Sequence, residues 1–291
     1  MMRGQPVLTR GVALKYIDVW NYETFDAELT ALLEAAADLI CNYMVTDHQI
    51  FLSHDLGRDR SLLRPDNPHA SDFYKLKEVL GREMEKQTIR AFHYTRLTDA
   101  EVAILTHRGV HLSTPETLRE RFDALVVAGD IAPEAVTELY AASPFHQQLE
   151  VRSGKFWMTS HPIAIQDRGV EPLMAHWGGE VASMWMRDSA LLARLALIGR
   201  PRIIELAVPL KVTNHCHSAA EAVVATFGRS KGCIPSKNAF DVYTMQPLPR
   251  EAVLAVHTEG DVSFIRMGHG YPEQFVDVDC GRWTELTGED E

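Results

Sequence analysis

Residues 88–109 read TIRAFHYTRLTDAEVAILTHRG. The run from Thr88 to Thr95 is rich in β-branched and aromatic side chains, which predicts a strand. Strand alternation sends His93 and Thr95 to one face and Tyr94 and Arg96 to the other. Thr98-Asp-Ala-Glu101 spells a capping box, and Gly109 stands where a helix C-cap belongs, so a short helix is predicted over about 99–108. The strand is unusually polar. It is either an edge strand with solvated side chains or one wall of a binding site.

Downstream, Val110 to Leu112 reads as a short strand, and Ser113-Thr-Pro-Glu116 opens the next helix with Pro115 in its first turn. A further helix is expected over about 133–142. Gly154 to Ser160 (GKFWMTS) is a second strand, with Trp157 and Thr159 on one face and Phe156, Met158 and Ser160 on the other. Aromatic residues on a strand are more often core than ligand platform. His176-Trp-Gly-Gly-Glu180 is a turn whose glycines let backbone amides approach a ligand, or simply a turn. Ile203 to Val212 suits a central strand. Ser218-Ala-Ala-Glu221 is a second capping box, opening a helix to about Phe227. Phe240 to Met245 and Ala252 to His257 are two closing strands joined through Pro-Leu-Pro. Upstream, Phe25, Leu29, Leu33, Ile40 and Tyr43 follow helical spacing and predict one helix over about 24–44. A polar loop spans about 54–70. Ser71 or Asp72 then caps a helix that carries Phe73, Leu76, Leu80 and Met84. The irregular order predicts an α+β fold, with residues 1–86 as an N-terminal helical extension and 87–291 as the sheet-bearing domain.

The chain has 291 residues, 46% of them apolar and 24% charged, which is ordinary for a globular fold. Its formal charge of −11 repels phosphate backbones and argues against generic nucleic-acid binding. No stretch reaches the roughly 18 apolar residues of a membrane helix, and no apolar leader is visible, so a cytoplasmic protein is expected. Cys41, Cys216, Cys233 and Cys280 form no CxxC pair, so neither a zinc ribbon nor a disulfide framework is expected. His215-Cys216-His217 is the densest cluster of metal-ligating residue types, but two ligands do not make a metal site. The signatures of dinucleotide folds, P-loops, zincins and α/β-hydrolases are absent.

FHYTRLTDAEVAILTHRGVHLST, GKFWMTS followed by WGGEVASMW, IIELAVPL and FDVYTMQPLPREAVLAV together resemble the ADP-ribosyltransferase fold of the PARP-like and DarT-like kind, over about residues 88–258. The resemblance implies a split mixed β-sheet core and NAD as substrate. It implies that His93 hydrogen-bonds the NAD ribose. Phe156 or Trp157 would stack on nicotinamide, with Thr159 and Ser160 lining the pocket and Tyr94, Thr95 and Arg96 beside it. ADP-ribose would pass to a macromolecular target, as in toxins and conflict-system effectors, or to water. The family's last strand opens on a Glu, whereas this chain has Asn238-Ala239-Phe240-Asp241. Glu180, Glu205 and Asp241 are the candidate replacements, with Glu180 favoured because two glycines precede it. The alternative is a catalytically silent NAD-binding sensor or a partner-binding protein. The apolar stripe of the 25–43 helix is expected to pack on the domain or on a second copy.

Overall fold

The strand quoted above is the centre of the sheet. The computed structural model describes residues 15–55, 63–235 and 239–268. β1 (Thr88–Leu97), β2 (Phe156–Thr159), β3 (Arg200–Pro209), β4 (Asp241–Thr244) and β5 (Val253–Thr258) form one sheet in the order β4-β2-β1-β3-β5. All four ladders are antiparallel. The expected mixed sheet is therefore corrected, because the only parallel pairing among the described residues that touches it is the isolated bridge Ile17↔Ile89. Asn238, Cys280 and the acidic C-terminal stretch lie outside the described residues.

Twelve α-helices surround this sheet among the described residues. They are α1 (Ala27–Ala35), α2 (Ala37–Ile50), α3 (Ala70–Met84), α4 (Asp99–Arg108), α5 (Pro115–Ala128) and α6 (Pro133–Ala141). The others are α7 (Phe145–Arg152), α8 (Glu171–Ala175), α9 (Glu180–Ser183), α10 (Ser189–Leu197), α11 (Cys216–Ser230) and α12 (Val262–Met267). Alternation along the strands gives the sheet two apolar faces. Ile89, Ala91, Met158, Ile204, Leu206 and Val242 pack under α1, α2, α3 and α11 in the main core. Phe92, Tyr94 and Ile203 meet Val170, Met174 and Phe264 on the other side. A third cluster, built on Leu118, Phe122, Phe145 and Trp177, joins α5 to α10.

The expected helix over 24–44 is two helices bent by 62° at Ala36, whose φ/ψ of −105/10° breaks the ladder. No Gly or Pro marks the break, and the apolar stripe stays in phase across it. Leu29 and Leu33 on α1 and Ile40 on α2 are all fully buried inside this chain, so the stripe faces its own core. Together with the Ile17 bridge, this makes the described part of 1–86 a layer of the sheet's own core. No single helix among the described residues is long and apolar enough to cross a membrane.

Local signals held where a side chain had a backbone donor to satisfy. Thr98 and Glu101 make both bonds of the capping box. Gly109 has φ +88°, and a Cβ there would run into the Leu248 carbonyl, so only glycine fits. Thr114 caps α5, with Pro115 in its first turn. The second capping box does not form, because α11 begins at Cys216 and encloses Ser218 and Glu221, and Glu221 pairs with Lys77 instead. Neither Ser71 nor Asp72 caps α3, whose N-cap is His69. The expected strand at Val110–Leu112 is reduced to a single bridge, Val110↔Leu248. Cys41, Cys216 and Cys233 are free. Burial, with help from the neighbouring Cys41 thiol, pushes the Cys233 thiol up to about 11.

Candidate functional site

β1 has two very different edges. All ten of its residues pair with β3, but only Phe92 pairs with β2, through Thr159. One residue further on, the His93 side chain enters the gap, and its Nδ1–H donates to the Trp157 carbonyl at 2.7 Å. A carbonyl only accepts, so this bond fixes the proton on Nδ1 and leaves Nε2 as the acceptor. The ring lies 4.3 Å from that of Phe156, tilted by 36°. Desolvation lowers the pKa of His93 to about 4. The Trp157 bond opposes this and the positive charge of Arg121 reinforces it. His93 is therefore a neutral imidazole at pH 7, held in the split between β1 and β2.

The mouth of this split is built by segments far away in sequence. Ser113 pairs with Lys155 just before β2, and the Gly178 N–H donates to the Arg96 carbonyl on β1 at 3.1 Å. Glu101, at the start of α4, accepts from the Thr98 N–H (2.9 Å) and hydroxyl (3.0 Å), from Trp177 Nε1 (2.8 Å) and from Arg121 Nε (2.8 Å). Burial raises its pKa, but Arg121 and these donors outweigh burial, and the net shift is downward. The Arg121 guanidinium lies 4.5 Å above the centre of the buried Trp177 ring. Sequence reading passed over Arg121, because an arginine on an amphipathic helix normally faces solvent. It noticed Trp177 only as part of a glycine turn.

On the far side of β2, register places Tyr243 opposite Trp157 and Asp241 opposite Thr159. The Trp157 and Tyr243 rings are 4.6 Å apart. Lys155 Nζ lies 4.9 Å from the Tyr243 ring centre, and His215 meets the same ring edge-on at 4.8 Å. Trp157 is 39% exposed, a high value for so large an apolar side chain. Asp241 is exposed on its strand, and its pKa is raised because partial desolvation of its carboxyl outweighs the pull of His215. Among the described residues Asp241 makes no ion pair. The in-register row Asp241, Thr159, Phe92, Glu205 crosses four strands on one face. The pleat sends His93 to the opposite side of that row, and it meets β2 only because its ring enters the split.

The other sequence-predicted residues divide cleanly. His93 and Phe156 come together, whereas the Trp157 ring turns to Tyr243 on the opposite face. Thr159 stands one residue from the split, its hydroxyl donating to the His161 carbonyl at 2.7 Å. Thr95 is buried. Tyr94 is buried among Val170, Met174 and Phe264, and its hydroxyl accepts from the Ile163 N–H at 2.6 Å, so it pins the loop after β2. Arg96 donates to the Ile198 carbonyl at 2.9 Å and ties down the start of β3. Ser160 accepts from Trp20 Nε1 (3.1 Å) and the Phe240 N–H (3.2 Å), which fastens the N-terminal segment to the sheet. Glu180 begins α9, two residues after Gly178, and is held by Arg152 at 2.7 Å. Glu205 is bound by Arg90 at 2.8 Å and His257 at 3.1 Å. Burial raises its pKa, but these partners overcome burial and bring it down to about 2. Of the three candidate carboxylates, Asp241 is the one on a strand paired with β2.

A scan against protein-family models and searches of curated proteins and of solved structures found no match.

Proposed function

We propose that this chain is an NAD-dependent ADP-ribosyltransferase or NAD glycohydrolase, with its nicotinamide-ribose site at the split between β1 and β2. The observation that carries this reading is the break in the β1–β2 ladder at His93. There the ring meets Phe156 and the Trp157 carbonyl, with the Trp157 and Asp241 side chains on the opposite face of the neighbouring strands. In this reading neutral His93 offers Nε2 to a ribose hydroxyl. Phe156, on the His93 face, or Trp157, on the Asp241 face, stacks on the nicotinamide ring, and Asp241 reaches the sugar through the split. The C1′–N bond breaks and its electron pair leaves with neutral nicotinamide. Positive charge develops on the ribose, where the Asp241 carboxylate stabilises it. A hydroxyl of a macromolecular acceptor, or water, then bonds to C1′ and gives its proton to solvent.

A second reading is supported by the carboxylate itself. Asp241 is one methylene shorter than the glutamate the resemblance implies, and about an ångström of misplacement costs roughly a hundredfold in rate. A chain that binds NAD without cleaving it is then a sensor or partner-binding module. Nicotinamide release from NAD by wild type, Asp241→Asn and Glu180→Gln tests the reading. Release by wild type that is lost in Asp241→Asn and kept in Glu180→Gln supports it. Inert wild type that still binds NAD leaves the silent module, and wild type that neither cleaves nor binds NAD overturns both.

A further inference from the structure

No sequence motif marks Arg121, on α5. Its Nε is fixed on Glu101 at 2.8 Å and its Cζ lies 4.5 Å from the Trp177 ring centre. Its Nη2 is buried and has no hydrogen-bond partner among the described residues. An unsatisfied buried donor costs about 1–3 kcal/mol, and a cationic one costs more, so such a group in an otherwise well-bonded cluster calls for an acceptor. The position of that acceptor is bounded. Gly178, at φ +74°, lies beside the guanidinium: a Cβ there would meet Ala182 at 3.0 Å and stand 3.9 Å from Nη2 and 4.0 Å from Nη1. The same Gly178 is bonded to the β2-facing edge of β1 at Arg96. The free donor edge of Arg121 thus stands at the mouth of the split that holds His93.

We infer that Arg121 is a clamp for a phosphodiester oxygen of a nucleotide bound in the β1–β2 split. Glu101 leaves the local charge close to balanced, which suits a singly charged phosphodiester better than a dianionic phosphate monoester. Trp177 and Glu101 act as positioning residues: they remove the rotamer freedom of the long side chain before ligand arrives. The influence of Arg121 on both His93 and exposed His111, each of which it helps to keep neutral, agrees with a cation directed at this cleft. The inference rests on the nucleotide reading of the split and adds the group that holds the pyrophosphate end.

Calorimetric titration of the full chain with ADP-ribose, and separately with nicotinamide, tests it. The expected result is that Arg121→Gln weakens ADP-ribose binding at least tenfold and leaves nicotinamide binding within twofold. Arg121→Lys, which keeps the charge but loses the planar fork, is expected to fall between the two and serves if the Gln variant does not fold. Unchanged ADP-ribose affinity in folded Arg121→Gln or Arg121→Lys would overturn the clamp even if wild type releases nicotinamide from NAD. So would the absence of ADP-ribose binding to wild type. If wild type binds ADP-ribose through Arg121 but does not cleave NAD, the clamp stands and the catalytic reading fails.

Discussion

β1 meets β3 along ten consecutive pairs and β2 at one. On the β3 edge Arg90, Glu205 and His257 answer one another, although the buried Arg202 Nε has no hydrogen-bond partner among the described residues. Glu205 is bound by Arg90 and His257, Arg90 also reaches Asp18, and the guanidinium lies 4.8 Å from the Phe92 ring centre. On the β2 edge the polar side chains do not. His93 fills a gap, Trp157 is exposed, Asp241 has no ion pair among the described residues, and Arg121 keeps a buried donor without an acceptor. A buried charge that is fully partnered is a structural element, whereas polar groups left incomplete around a gap are what a ligand completes. One strand is thus paired without a break along one side and interrupted along the other, where the proposed site lies.

The largest expected effect breaks the β3 side. Glu205→Gln leaves Arg90 and His257 short of a buried acceptor charge and is expected to cost about 3 kcal/mol in urea unfolding. Nicotinamide release by the remaining folded protein should be unchanged. Asp241→Asn should do the reverse. Its rate of nicotinamide release falls at least about a hundredfold, while stability changes by less than about 0.5 kcal/mol. If both variants lose stability equally and neither loses rate selectively, the two edges are not functionally distinct.

Acid pH sharpens the contrast further. His93 and His161 titrate at about 4 in the fold, against an ordinary 6.5, and burial is the main cause for both. Their folded pKa values lie below the unfolded ones, so the unfolded chain takes up protons first. Stability is present above about 6.5 and falls as pH drops toward 4. Glu205 titrates at about 2 against an ordinary 4.5, so its contribution is present above 4.5 and is lost between 4.5 and 2. Thermal unfolding followed from pH 7.5 to 3 should show a continuous fall beginning near 6.5, on the order of 1–3 kcal/mol for each group. In Glu205→Gln the part of the fall below 4.5 should shrink. The smallest expected effect is that of Glu180→Gln, which loses only a partly exposed pair with Arg152 and should keep nicotinamide release within about twofold.

Much of the frame was readable from sequence. β1 and β3 announced themselves by β-branched and aromatic runs, and Thr98, Glu101 and Gly109 marked α4 because each meets a backbone requirement that few residues satisfy. The break at Ala36 was not readable, because an in-phase apolar stripe looks the same on a straight helix as on one bent around a core. Ser218 and Glu221 have the capping-box spacing, but α11 starts before them, and a spacing rule does not say where the first turn falls. At the site, His93, Phe156 and Trp157 were legible as polar and aromatic residues on strands. Arg121, Glu101 and Trp177 were not legible as a group, because α5, α4 and the glycine turn are brought together by packing alone. Glu180 looked attractive for its two glycines, yet Arg152, which holds it, lies 28 residues earlier.

The most direct test of the central claim is hydrogen exchange across the sheet with and without carba-NAD, an analogue whose ribose ring oxygen is replaced so that it binds without being cleaved. Added protection is expected at His93 to Leu97 of β1 and at Phe156 to Thr159 of β2, with α3 and α11 unchanged. Protection confined to the helical layer, or absent from β1 and β2 at saturating ligand, would contradict the account.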